Sequence, residues 1–365
     1  MNGFPLLISA QAAAGPSLAL PAPFWLLTIL HWVTLALHFL AMNLLFGLLL
    51  IVLIAKKSPV RLLLFDTATK IFPAVMAATI TLGVAPLLFT QVVYGEYFYA
   101  ASIVSGWNWF LLIPVMLVVY YLLYIIAVKQ RLSDKTRLML LTIAAAGFVY
   151  ISYTFTMISD LAEKPQLWQS LYQSSPSGAS INPSYLQTIF RWAHIIVGGV
   201  AVSGIMIQWF ALFHPKVKGD RYLLAFGGRV FLLAVLKATI LALIYLFTLD
   251  KAVFNRFLLS PGLHAILGAI VINIIAVLVT IKAVKAENPK KSILAASVLV
   301  LLGIFCMIIA RHYLRLVYLE GQLNPANLQT NPQWSAFAMF LITFVIGLVV
   351  LYWMLKKFFS SPEPT

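Results

Sequence analysis

Apolar runs of about twenty residues recur between residues 24 and 355, separated by short polar segments. A helix of that length crosses the roughly 30 Å hydrocarbon layer of a bilayer. The pattern predicts nine spans, at about 24–55, 68–94, 107–128, 137–158, 187–212, 224–248, 261–284, 292–317 and 334–355. The expected fold class is therefore an all-α polytopic membrane protein in the cell (inner) membrane. Residues 1–23 are expected as an extracytoplasmic N-terminal arm, 24–357 as the transmembrane helical domain, and 358–365 as a cytoplasmic tail. No polar segment is long enough to build a separate soluble domain. Two polar stretches, about 159–186 and 318–333, read as loops on one side of the membrane and as surfaces for an extracytoplasmic partner.

The chain is 62% hydrophobic and only 10% charged, with a formal net charge of +15. A strongly basic chain can signal nucleic acid, but the placement of charge here argues otherwise. Eighteen of the 25 Lys and Arg residues fall in alternate loops or at the C-terminal end, beginning with Lys56, Lys57, Arg61 and Lys70. By the positive-inside rule these segments are cytoplasmic and the N-terminus lies outside. The basic charge reports topology, and no nucleic-acid partner is expected. Residues 1–23 contain no Lys or Arg, so they lack the basic start of a typical secretory signal. The single cysteine, Cys306, lies in an apolar run, which leaves no cysteine pair for a disulfide or a metal site within the chain.

Five of the six histidines, His31, His38, His194, His264 and His312, lie in spans or at their edges. With the expected orientation all five fall in the outer half of the bilayer. His31 and His38 are seven residues apart, close to two helical turns, so they share a face about 10 Å apart. A polar side chain in lipid is costly and usually has a function or a partner. Acidic residues are scarce in the spans, which disfavours hard cations. Imidazole suits zinc, copper or haem iron, and bundle interiors accept haem with one His from each of two helices. Small residues beside a ligand would let a macrocycle approach the backbone. They follow His194 (Gly198, Gly199, Ser203, Gly204) and flank His264 (Gly262, Gly268). Arg191, Arg311 and Arg315 lie near the same surface and are candidates for haem propionates. Mid-span Lys237 and interfacial Glu96 are weaker candidates for proton transfer.

At this point the residues resemble subunit I of the cytochrome bd quinol oxidases. "GVAPLLFTQVVYG" (83–95) is similar to that family's glycine-flanked second-helix segment. "HFLAMNLLFG" (38–47) resembles its first-helix His followed nine residues later by Gly. "INPSYLQTIFRWAHIIVGG" (181–199) resembles the Asn-Pro segment that leads into the fifth helix and a haem b histidine. The resemblance implies a bd subunit I-like bundle of about nine helices. It also implies that His38 is a haem ligand at the oxygen-reducing centre and that His194 ligates a low-spin haem b. His264 stands where the family places a Met ligand, and His312 approximately where it places a ligating Glu. His31 has no counterpart.

The departures from that family bear on function. The third span, "WNWFLLIPVMLVVYYLLYIIAV", carries none of the family's carboxylates. The Gly-Arg-Gln-Pro-Trp segment after the eighth helix is missing, and only "TLDKAVFNRFLLSPG" replaces the long quinol-binding loop. The expectation is therefore a haem b electron-transfer subunit, part of a quinol-linked respiratory oxidoreductase. It would hold two or three haem b groups, with quinone or quinol as a further ligand. It would pass electrons between the quinone pool and an extracytoplasmic c-type cytochrome, a multihaem one, or another redox subunit. His194 is expected to pair with His264, and His38 or His31 with His312. The alternatives are a divergent bd-type terminal oxidase or gas reductase, and a proton-coupled transporter without haem.

Overall fold

A computed structural model of the chain describes residues 19–54, 59–129, 132–180 and 182–360. Residues 1–18 of the expected arm, Lys56, Lys57 and Arg131 of the basic loops, and the tail beyond residue 360 lie outside the described residues. Nine described helices are long and apolar enough to cross a membrane, as the hydropathy pattern predicts. In chain order the helices are α1 (Phe24–Ile54), α2 (Pro59–Val104), α3 (Gly106–Val128), α4 (Asp134–Leu161), α5 (Trp168–Ser174), α6 (Tyr185–Phe213), α7 (Arg221–Phe247), α8 (Lys251–Leu258), α9 (Pro261–Lys285), α10 (Lys290–Tyr318) and α11 (Trp334–Ser360). The short helices α5 and α8 lie in connections.

Helix starts follow local chemistry. Ser133 accepts from Thr136 N–H at 3.2 Å and starts α4. Asp220 accepts from Leu223 N–H at 3.1 Å and starts α7. Ser260 and Pro261 start α9 together, the proline at a position whose N–H would lack an intrahelical partner anyway. Buried Asn182 holds the turn before α6. Its Oδ1 accepts from Ser184 N–H at 2.9 Å, and its Nδ2 donates to Thr188 Oγ1 at 3.0 Å.

The second span extends well past its expected end at residue 94. Helix α2 runs for 46 residues, with Pro73 and Pro86 inside it and Tyr94 alone off helical geometry (φ −127°, ψ 29°). Hydropathy marks where a helix leaves lipid, and "YGEYFYAASIV" continues helically after the apolar run ends. The expected loop 248–262 likewise contains α8, whose Phe257 is buried.

Leu30–Glu320 form one compact unit; the chain before Leu30 and after Glu320 forms another. In the smaller unit Leu20 N–H donates to Gln329 O at 2.8 Å and Asn331 N–H to Leu20 O at 2.9 Å, so the described end of the arm pairs with the 318–333 loop. In the larger unit the core joins several helices through Leu45, Leu49, Phe72, Leu123, Leu141, Ile207 and Phe231. Helix α6 packs against α4, α7 and α10, and α9 packs along α10.

Close helix contacts use small residues. A Cβ on Gly47 would overlap the Gly199 backbone, and Ser203 Oγ donates to Leu44 O at 3.3 Å. A Cβ on Gly204 would lie 2.8 Å from Gly227 O. Without a solvent-driven hydrophobic effect between spans, close backbone approach through such residues is a main source of packing energy. The glycines read from sequence as room for a macrocycle therefore divide. Gly199, Ser203 and Gly204 pack helix to helix, Gly262 accommodates the Phe257 ring, and Gly268 faces Cys306. Gly198 alone opens onto space: a Cβ there would meet no atom within 4 Å.

Candidate functional site

His38 of α1 and His194 of α6 are fixed by backbone. His194 Nδ1 lies 2.8 Å from Ala238 O of α7, and His38 Nδ1 lies 3.0 Å from Thr79 O of α2. A carbonyl oxygen only accepts, so Nδ1 carries the proton in both rings and a neutral ring keeps its lone pair on Nε2. A ring held this way is set up to ligate a metal through Nε2, because ligating histidines usually donate their other N–H to an oxygen. Gly83 makes room for His38: a Cβ there would lie 2.9 Å from the imidazole. Gly198, one turn beyond His194 on the same face, supplies the open space.

A second group gathers around Tyr94 at the break in α2. Tyr94 OH lies 3.3 Å from His312 Nδ1, and the Arg315 guanidinium stacks 4.6 Å from the centre of the Tyr94 ring. Trp32 meets the His312 ring edge-on at 5.2 Å, and its buried Nε1 has no hydrogen-bond partner among the described residues. His31 joins from α1. Its Nε2 lies 3.3 Å from Thr90 Oγ1, whose single proton goes to Pro86 O at 2.9 Å. Thr90 can then only accept from His31, so His31 Nε2 is the protonated nitrogen.

Beside this group lies a buried ion network. Asp160 pairs with Arg191 and, at 3.5 Å, with Arg311. Glu163 pairs with Arg311 and, at 3.2 Å, with Arg315. Arg311 also reaches Tyr245 OH at 3.5 Å. Lys164 donates to Gln187 Oε1, and Gln187 Nε2 donates to Tyr318 OH at 2.6 Å. The Asp160 and Glu163 side chains are 3% and 2% exposed, so these charges are desolvated and depend on their partners. Burial also pulls the Lys164 ammonium below its ordinary pKa, against the opposing pull of Asp160, Glu163 and Asp250. The buried Asp160 and Glu163 face Arg191, Arg311, Arg315 and Lys164, and Asp250 also acts on Lys164, so the cations outnumber the acids by one. Asp160 Oδ2 and Arg311 Nε have no hydrogen-bond partner among the described residues.

Sequence reasoning found the three arginines and missed their acids. Residues 159–186 read as an outer loop, yet Asp160, Glu163 and Lys164 turn inward. A legible signal was present: two acids three residues apart at a span end, in a chain with ten acids in total. The other candidates are placed differently. His264 is exposed in the first turn of α9, and no described contact joins it to His194. None joins His38 to His312 either. Glu96 is exposed. Lys237, the mid-span candidate for proton transfer, is exposed on the outer surface of α7. Among the described residues no three His, Cys, Asp or Glu side chains cluster as a metal site. The arrangement instead offers individual imidazoles spread over α1, α6, α9 and α10.

No protein-family model and no curated protein matches the sequence. A search of solved structures finds the bd oxidase from Geobacillus thermodenitrificans, at 15% sequence identity with a TM-score of 0.64. The match covers 91% of this chain and 98% of that one. The fold is that of a bd oxidase chain. The subunit I-like bundle expected from the "GVAPLLFTQVVYG" and "INPSYLQTIFRWAHIIVGG" segments is therefore present, and the chain is a multi-pass membrane protein.

Proposed function

We propose that this chain is a haem b electron-transfer subunit of a respiratory membrane complex. It passes electrons between the quinone pool and a c-type cytochrome on the side of the 159–186 loop, which the charge pattern makes extracytoplasmic. The observation that carries the reading is the pair of rings, His194 and His38, whose Nδ1–H groups are held by helix carbonyls and whose Nε2 lone pairs remain for iron. Three further features fit a haem. Gly198 opens onto space one turn from His194. Trp32 Nε1 is an orphaned buried donor. The surplus of positive charge near Arg191, Arg311, Arg315 and Lys164 suits a haem propionate.

When bound, the haem supplies a reversible one-electron carrier. The chain supplies the rest. His194 and His38 would hold the haem through Nε2, and His264 and His312 are the further ligands that the sequence suggests. His31, whose Nε2 is committed to Thr90, serves as a hydrogen-bonding neighbour of the Tyr94 group. Helix α3 carries no carboxylate to deliver protons, which favours electron transfer over oxygen reduction.

The test is a reduced-minus-oxidised spectrum of the purified chain. The reading expects b-type bands that carbon monoxide does not perturb. Absence of those bands ends the haem assignment, and a carbon monoxide shift points to an open, oxidase-like iron.

A further inference from the structure

Near the starts of α2 and α4 and the end of α3 lies a cavity of about 350 Å³. It is lined by Asp66, Thr69, Lys70, Ile126, Ala127 and Arg137. All three helix ends belong to the side of the basic loops, which the charge pattern makes cytoplasmic. The cavity therefore sits where spans meet lipid headgroups, far from the histidines of the outer half.

Its polar groups leave one charge over. Lys70 and Arg137 bring two positive charges and Asp66 one negative charge. Arg137 is the inner group of the ion pair. Its side chain is 19% exposed against 55% for Asp66, whose Oδ1 accepts from Arg137 Nη1 at 3.3 Å. The carboxylate thus orients the guanidinium without cancelling Lys70. Thr69 Oγ1 gives its proton to Asp66 O at 3.1 Å, so its hydroxyl is left as an acceptor. A guanidinium and an ammonium together suit a phosphate, and the acceptors beside them suit a ligand that brings its own hydroxyls.

The neighbouring surface suits acyl chains. Tyr121, Tyr124 and Val128 share one exposed face at the end of α3, and Leu138 is exposed at the start of α4. Tyrosines at this level are typical of the membrane interface, and basic pockets between spans on the cytoplasmic side take lipid headgroups.

We propose that this cavity binds a glycerophosphate headgroup, with Lys70 and Arg137 holding the phosphate and Asp66 and Thr69 accepting from the glycerol hydroxyls. The same chemistry occurs in an anionic membrane lipid and in free glycerol phosphate, and the test separates the two. The inference rests on charge and position and is independent of the haem reading.

The experiment uses the full purified chain, stripped of lipid in detergent. Binding of dioleoyl phosphatidylglycerol is read by native mass spectrometry and by the rise in melting temperature on titration. The lipid should bind saturably, and Lys70→Gln and Arg137→Gln should each weaken it about tenfold. Asp66→Asn breaks the same ion pair as Arg137→Gln but removes a negative charge, so it should keep or tighten binding. Loss of binding in Asp66→Asn equal to that in Arg137→Gln would reduce the pair to a structural role and overturn the proposal. Undiminished binding in Lys70→Gln/Arg137→Gln does the same. So does equal binding of dioleoyl phosphatidylethanolamine, whose headgroup has no net charge. Free glycerol 3-phosphate is the last arm. Competition at the lipid's own affinity supports the phosphate site with a soluble ligand, and failure to compete supports it with a lipid. The ion pair is partly exposed, so the variants should fold, and melting of the lipid-free chain checks this.

Discussion

His194 and His38 take their hydrogen bonds from helix backbone, whereas His31 and His312 take theirs from a threonine and a tyrosine beside an arginine. The difference separates two ways of fixing an imidazole in a membrane. A carbonyl of a neighbouring helix cannot be mutated away, and it sets the tautomer as long as the helices stay packed. A side-chain partner can be exchanged or recharged. The first environment is apolar and built on close helix contacts. The second adjoins a buried network with surplus positive charge. On the proposed reading the first holds iron and the second tunes and neutralises what surrounds it.

The comparison breaks most visibly at the rings themselves. His194→Ala should remove one b haem per chain, read by haem content and the difference spectrum, whereas His31→Ala should leave haem content unchanged and alter only band position. Equal loss in both variants would erase the distinction between the two environments. Gly198→Val fills the open space beside His194 and should lower haem occupancy there. Gly268→Val, which meets Cys306 instead, should not. The same haem content in both would mean that the space is not used.

The charged side is tested through its acids. Glu163→Gln leaves Arg311 and Arg315 without their carboxylate and should cost about 3–5 kcal/mol, seen as lower thermal melting in detergent. Haem content at saturating haem should be retained, because no proposed ligand is touched. The smallest effect concerns Lys164. Its folded pKa lies below the ordinary 10.5. Between those two values the unfolded chain binds more protons, so stability rises with pH. Relative to Lys164→Met, the unmodified chain should gain melting temperature as pH climbs toward 10.5 and lose that gain below the folded value. A flat difference across that range would place Lys164 in a solvated setting.

Much of the fold was legible because hydrophobic runs and basic loops report lipid directly. All nine expected spans correspond to helices, and the bundle resembles the one that the glycine and Asn-Pro segments suggested. The site was less legible. That His38 and His194 lie within spans is plain in the sequence, but which nitrogen each leaves free depends on Thr79 and Ala238, distant residues with no sequence signature. Polarity read Asp160 and Glu163 as loop, although a turn at the end of α4 folds them inward against arginines of α6 and α10. Periodicity cannot tell which side of an apolar helix faces lipid, so the outward position of Lys237 was not legible.

The length of α2 has a consequence for distance. Up to the break at Tyr94, the 35 residues 59–93 alone span about 53 Å, well over the hydrocarbon thickness. If Lys70 marks one membrane surface, about twenty residues reach the other, near Gln91. Tyr94 then stands at the waterline, with His312 and Arg315 beside it, and ten helical residues follow the break. A redox protein arriving from the aqueous phase would find that group within a few ångströms of its landing surface, with no need for a channel or a mobile carrier domain.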